Sequence, residues 1–161
     1  HLEDSGYRDI LFVTEQQDGT SSRLERREAF TSLLAERPHM RGQVLETDAE
    51  FGTRLKAFLD APGSGAKALF TANGVATLTC TRLLREMGCP LFDEIGLIAL
   101  DELDWYPLVG TGITSLAQPT HEIGVTAFEC LLNRLRGDEA PSRHFDFPAR
   151  LIIRGSTRKR N

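Results

Sequence analysis

Arg23, Arg26 and Arg27 cluster where a helical pattern begins. Arginine presents a planar fork of N–H donors that can meet a carboxylate or phosphate with two bonds at once. A helix start is the positive end of its dipole, where a further cation is unfavourable by about 0.3–1 kcal/mol. Two readings follow. An anionic ligand group facing Arg23 or Arg26 reverses the sign of that cost, or the turn is solvated and paired with Glu25 and Glu28. Asn73 separates an apolar run from a helical one in ALFTANGVATL, and its side chain can cap the helix and still present an amide to a ligand. Asp101, Glu102 and Asp104 follow another apolar run. Grouped carboxylates can move protons, hold a metal, or accept hydrogen bonds from ligand hydroxyls. Trp105 and Tyr106 come next, and an aromatic face beside carboxylates suits a sugar ring, whose C–H surface stacks while its hydroxyls bond in plane. Trp105 can equally serve to cover the end of the sheet. Gln118 closes a further apolar run.

Five apolar runs have strand length: 9–14 (DILFVT), 42–47 (GQVLET), 67–71 (KALFT), 95–100 (IGLIAL) and 113–117 (ITSLA), with a sixth over 145–153. Helical patterns lie between them. Ser22-Arg23-Leu24-Glu25 reads as a capping box ahead of the stripe Ala29, Phe30, Leu33 and Leu34. Residues 50–60 carry Phe51, Leu55, Phe58 and Leu59. Ala76, Cys80, Leu83, Leu84 and Met87 share a face that Gly88 stops. Pro119 suits a first turn, and an apolar face from Gly124 through Phe128 to Leu135 runs to Gly137. The stretch APGSGAK reads as a loop. This alternation predicts an α/β fold: an open, mostly parallel sheet with helices on both faces. In such a sheet every strand ends at one rim, and ligands bind outside those ends. Glu15, Gln16, Asp48, Asn73, Asp101, Glu102 and Gln118 would all stand there. Each residue type is also favoured in caps and turns; their coincidence on one rim is what points to a crevice.

With 161 residues, 40% hydrophobic and 26% charged, the chain can build one ordinary domain. A formal net charge of -4 argues against nucleic-acid binding by the chain as a whole, and the basic tail Arg158-Lys159-Arg160 reads as a solvated end. The cysteines, Cys80, Cys89 and Cys130, lack metal-ligand spacing, and free thiols suit a reducing compartment. No apolar run approaches the roughly 20 residues of a membrane span. Phosphate-loop, dinucleotide and nucleophile-elbow motifs are absent, and none of His1, His39, His121 and His144 has a nucleophile spaced beside it. No catalytic centre, metal or cofactor is therefore expected. An α/β enzyme using Asp101, Glu102 and Asp104 is the rival reading. The opening HLEDSG reads as the last turn and cap of a helix whose earlier turns lie upstream, so the chain reads as a fragment.

The segments GYRDILFVTE, RREAF, ALFTANGVATLTCTRLLREMG, IGLIALDELDWYPL, GITSLAQPTHEIGVTAFECLLNRLRG and LIIRGSTR, in this order, resemble the effector-binding domain of LacI/GalR transcription regulators over nearly the whole chain. The resemblance implies one lobe, the C-terminal one, of a type I periplasmic-binding-protein-like fold across residues 1–161, with 113–137 including the strand and helix that cross to the other lobe. It implies a sugar or sugar-acid effector, a cytoplasmic homodimer, and operator DNA bound by a helix-turn-helix headpiece that this chain lacks. A periplasmic sugar-binding protein of a transport system is the alternative. Residue by residue, Arg26 falls on the family's effector-binding arginine, with Ala29 in place of its usual Gly. Asn73 falls on the effector-binding Asn, with Gly74 in place of the following Asp. Asp101 falls on the acidic residue after the fourth strand, and Gln118 on a polar crossover position. Trp105 and Arg23 join these as candidates from the residues themselves. The segment DELDWYPLVGTGITSLAQPT is similar to the sugar-acid subgroup, which includes 2-ketogluconate repressors. A sugar acid agrees with the arginines, since it carries hydroxyls and a carboxylate.

Overall fold

The structure, a computed structural model, describes residues 1–16, 21–63, 65–90 and 92–159; Arg160 of the basic tail and Ser64 of the APGSGAK loop lie outside them. Six strands form one sheet: β1 (Tyr7–Thr14), β2 (Arg41–Glu46), β3 (Ala66–Thr71), β4 (Ile95–Leu100), β5 (Thr114–Ala117) and β6 (Arg150–Ile152). Their order is β2-β1-β3-β4-β5-β6, with β1 to β5 parallel and β6 antiparallel to β5. The helices are α1 (Ser21–Ala35), α2 (Phe51–Asp60), α3 (Gly74–Glu86) and α4 (Thr120–Leu135).

The inner strands are almost continuously apolar because both their faces are used. Leu11, Val13, Leu69, Leu97 and Ala99 pack against Phe51, Leu55 and Phe58 of α2 and Ala76, Cys80 and Leu84 of α3. Each fully buried Leu or Phe is worth about 1.5–3 kcal/mol, which makes this face the main core. Burial also pushes the Cys80 thiol far above its ordinary pKa, so it stays an unreactive thiol. On the opposite face Ile10, Ala68 and Phe70 meet Leu2 and Phe30, and Phe12 stacks on Phe30 with ring centroids 5.1 Å apart. That second face is covered only in part. α1 touches β1 and β2, while Ile98, Leu100, Leu116 and Leu151 line an open groove of about 570 Å³ beside Leu33 and Leu34. α4 buries none of its residues, and Phe128, Leu131 and Leu135 are exposed.

Several expected boundaries move. α1 starts at Ser21, so Ser22 sits inside its first turn and cannot form the capping box; Arg23 remains in that turn, and Arg26 and Arg27 fall in the next. Pro119 occupies the cap position of α4, just ahead of its first turn. Of the apolar stretch 145–153, only Arg150–Ile152 finds a partner strand. HLEDSG forms a hydrogen-bonded turn. Ser5 N donates to His1 O, Gly6 N to Glu3 O and Tyr7 N to Leu2 O, each at 3.0 Å. With Gly6 at φ 89, these are the bonds of a Schellman helix end.

Candidate functional site

The sheet register brings the polar residues to one edge. Val13 pairs with Thr71, Thr71 with Ala99, and Ala99 with Ser115. Two residues further along each chain stand Glu15, Asn73 and Asp101, at the tips of three adjacent strands. Strand spacing of about 4.8 Å makes that row roughly 10 Å long. The ladder continues past the strands, through Ala72 N to Val13 O at 2.9 Å and Asp101 N to Leu116 O at 3.0 Å.

Glu15 organises the β1–β3 end of the row. Its Oε2 accepts from Arg23 Nη2 at 2.9 Å and from Asn73 Nδ2 at 2.6 Å. Arg23 Nη1 also donates to Gln16 O at 3.1 Å. The cation at the start of α1 is thus met by a carboxylate of the same chain. Asn73 caps α3 through its Oδ1, which accepts from Ala76 N at 2.9 Å, and the same amide reaches the rim through Nδ2. Gly74 follows it, and the Leu103 side chain lies where a Cβ at 74 would go. A residue as large as Asp there would have to push Leu103 aside. Arg26 Nη1 donates to Ala72 O at 3.1 Å, which sets its guanidinium at the β3 tip beside Asn73. A guanidinium has five N–H donors, so this anchor uses only one side of it.

Asp101 and Gln118 form the other end of the row, where Gln118 Nε2 donates to Asp101 Oδ1. Asp101 has φ 71, the left-handed region that Asp enters at some cost. Glu102, which the sequence groups with Asp101, turns away from the rim. Arg154 Nη2 donates to its Oε1 at 2.5 Å and Arg154 Nη1 to its Oε2 at 3.0 Å, and Ser115 Oγ donates to Oε2 as well. The Arg154 guanidinium holds the Glu102 carboxyl below the usual carboxylate range, against a smaller opposing effect of burial. Arg154 Nη1 also donates to Ile113 O at 2.8 Å, so one side chain clamps the exit of β4 to the start of β5.

Trp105 is half-buried against the main core and meets Tyr106 edge-on, with centroids 4.7 Å apart. Part of its surface packs on the core and part is left accessible. Tyr106 is fully buried, its hydroxyl donates to Thr77 Oγ1 at 3.1 Å, and burial raises its pKa. Thr77 Oγ1 in turn donates to Asn73 O at 2.7 Å, tying the β4 exit to the start of α3. Asp48, at the β2 tip, is taken up by Arg54 Nη2 at 2.5 Å. Thr14 Oγ1, buried at the end of β1, has no hydrogen-bond partner among the described residues. Neither Thr14 nor the bridging role of Glu15 was assigned from the sequence. Both follow from which strands are neighbours, which spacing along the chain does not reveal. Among the described residues no three His, Cys, Asp or Glu side chains gather as a metal site, and no helix is long and apolar enough to cross a membrane. The apolar groove under α1 reaches toward the rim, where Arg26, Ala72, Leu100 and Leu116 are among the residues that line it.

Hydrogen-bonding side chains on the tips of parallel strands stand where open α/β sheets place their ligands. Residues 1–157 match the family described as a periplasmic binding protein-like domain. The chain belongs to that family. It is 65% identical over 160 residues to the HTH-type transcriptional regulator PtxS of Pseudomonas aeruginosa, covering 99% of this chain and 47% of that protein. It is 32% identical over 157 residues to the HTH-type transcriptional regulator KdgR of Bacillus subtilis, covering 94% of this chain and 46% of that one. A LacI family transcriptional regulator of Enterococcus faecalis, solved with bound ribose, superposes with a TM-score of 0.81 at 22% identity, covering 100% of this chain and 58% of the other. The chain spans about half the length of the curated relatives it matches. These relatives are named as regulators of transcription, neither transport proteins nor enzymes.

Proposed function

We propose that the rim built from Arg23, Arg26, Asn73, Asp101, Trp105 and Gln118 binds a sugar acid, and that residues 1–161 are the C-terminal, effector-binding lobe of a cytoplasmic, dimeric LacI-type regulator. The observation that carries this reading is the gathering of two guanidinium groups and the Asn73 amide at adjacent strand tips, with the Asp101–Gln118 pair at the other end of the row. Cationic forks suit a carboxylate, and a carboxylate paired with an amide suits hydroxyls, which both donate and accept. Residues 113–137 would carry the crossing to a second lobe, and the uncovered apolar face of α4 would pack there. Operator DNA would be bound by a separate helix-turn-helix headpiece. The effector changes DNA binding only by as much as it prefers one arrangement of the lobes over the other.

Arg26→Ala in the full-length regulator tests the site. The lost hydrogen bond to a charged group should weaken sugar-acid binding by about 1.5–3 kcal/mol, read by titration calorimetry with operator binding followed in parallel. Unchanged affinity removes Arg26 from the site.

A further inference from the structure

We infer that Glu15 is a resident stand-in for the effector's carboxylate, and that a sugar acid enters by exchanging its own carboxylate for that of Glu15. The inference rests on the sugar-acid reading of the rim. A single oxygen, Glu15 Oε2, takes the donors an anionic effector would need, Arg23 Nη2 at 2.9 Å and Asn73 Nδ2 at 2.6 Å. The pair is accessible from solvent: the Arg23 and Glu15 side chains keep 23% and 29% of their exposure. Glu102 is the contrast in the same protein, since both its oxygens are gripped by one guanidinium and a serine hydroxyl besides. Glu15 follows β1 on a stretch without regular structure, so its carboxylate can swing out with no strand displaced.

The exchange has a direct consequence for specificity. An incoming carboxylate gives Arg23 and Asn73 an equivalent charge-assisted acceptor, and the rehydration of the evicted Glu15 carboxylate offsets the dehydration of the incoming one. A neutral sugar offers hydroxyls only, which bring no opposite charge and no bidentate carboxylate geometry to a guanidinium. It must either leave Glu15 in place or give up the better bond. The ligand is also oriented: its carboxylate at the β1–β3 tips, and its distal hydroxyls toward Asp101 and Gln118 on the tips beyond.

The test uses the full-length regulator and two ligands, 2-ketogluconate and fructose, which differ by a carboxylate in place of a hydroxymethyl group at C1. Calorimetric titration compares the wild type with Glu15→Gln, which keeps an acceptor oxygen but not the charge, and with Glu15→Ala. Unfolding midpoints establish that each variant is folded. The exchange predicts 2-ketogluconate binding about tenfold tighter in Glu15→Gln, or about 1.4 kcal/mol, with fructose affected much less. A crystal structure of the wild type with 2-ketogluconate should show the ligand carboxylate on Arg23 and Asn73, and Glu15 turned away. Unchanged or weaker 2-ketogluconate binding in Glu15→Gln overturns the exchange, as does Glu15 still on Arg23 and Asn73 in the complex, and the sugar-acid reading survives either. A wild type that binds neither ligand overturns both.

Discussion

Replacing Arg154 with Met keeps the aliphatic stem and removes a guanidinium that makes two bonds to Glu102, at 2.5 and 3.0 Å, and one to Ile113 O at 2.8 Å. Hydrogen bonds to charged groups are each worth about 1.5–3 kcal/mol when buried. Here the Arg154 and Glu102 side chains retain 19% and 29% of their exposure, so water recovers much of that sum. A loss of about 2 kcal/mol is expected, well below the simple total. With a urea slope of about 2 kcal/mol per molar, the unfolding midpoint should fall by about 1 M at pH 7. The pH dependence has a fixed sign. Glu102 is held below the usual carboxylate range, chiefly by Arg154, so its contribution is complete above the unfolded value of about 4.3 and is lost as pH falls through the lower folded value. The gap between wild type and variant should therefore narrow in acid, below about pH 4. Glu102→Gln in the Arg154→Met background should add little to Arg154→Met alone, because the two act as one unit. Equal midpoints at pH 7, or a gap that does not change with pH, would refute the clamp. Since the clamp fixes the segment that carries Asp101 and Trp105, losing it should also loosen that end of the rim.

At Gly96, an added Cβ would lie 2.6 Å from the ring of Tyr7, which is fully buried and donates from its hydroxyl to Arg158 O. Gly96→Ala should therefore cost about 1–3 kcal/mol by overpacking, a fall of several degrees in the thermal midpoint. Asn73→Ala removes the α3 cap and one of the two bonds to Glu15. It should cost about 1 kcal/mol in chemical denaturation and weaken sugar-acid binding in calorimetry. Asn73→Asp should restore the cap but not the binding, because it sets a second carboxylate beside Glu15. Equal binding by Asn73→Asp and wild type would remove the amide from the site.

The strand β4 was legible to the residue, because IGLIAL is bounded at both ends by charged residues and lies in the sheet interior. The sixth strand was not. Apolar content over 145–153 says nothing about which residues find a partner, and only three of them reach β5. The rim was legible for a related reason. In a parallel sheet the polar residue after each strand must arrive at one edge, so Glu15, Asn73, Asp101 and Gln118 could be named together. What spacing could not show is how they divide into pairs. Arg23 pairs with Glu15, not with the neighbouring Glu25 or Glu28 that its place in the chain suggests, while Glu102, adjacent to Asp101, is claimed by Arg154, 52 residues away. Long-range pairings of this kind depend on strand order, which local pattern does not encode.

The backbone at Asp101 bears on the same site from another direction. A non-glycine residue at φ 71 carries a cost of about 1 kcal/mol, which glycine would remove. Glycine would also remove the carboxylate that Gln118 Nε2 meets across the tips of β4 and β5. Asp is among the residues that tolerate this conformation best, so the position combines the turn that the β4 exit demands with an acceptor held at the rim. The same turn frees Glu102 to face Arg154 instead of the rim. Of two adjacent carboxylates, one is locked into the fold and the other stands at the strand tips beside Gln118. Asp101→Asn keeps the backbone preference, so it should leave stability within about 0.5 kcal/mol while changing which hydroxyls the rim accepts.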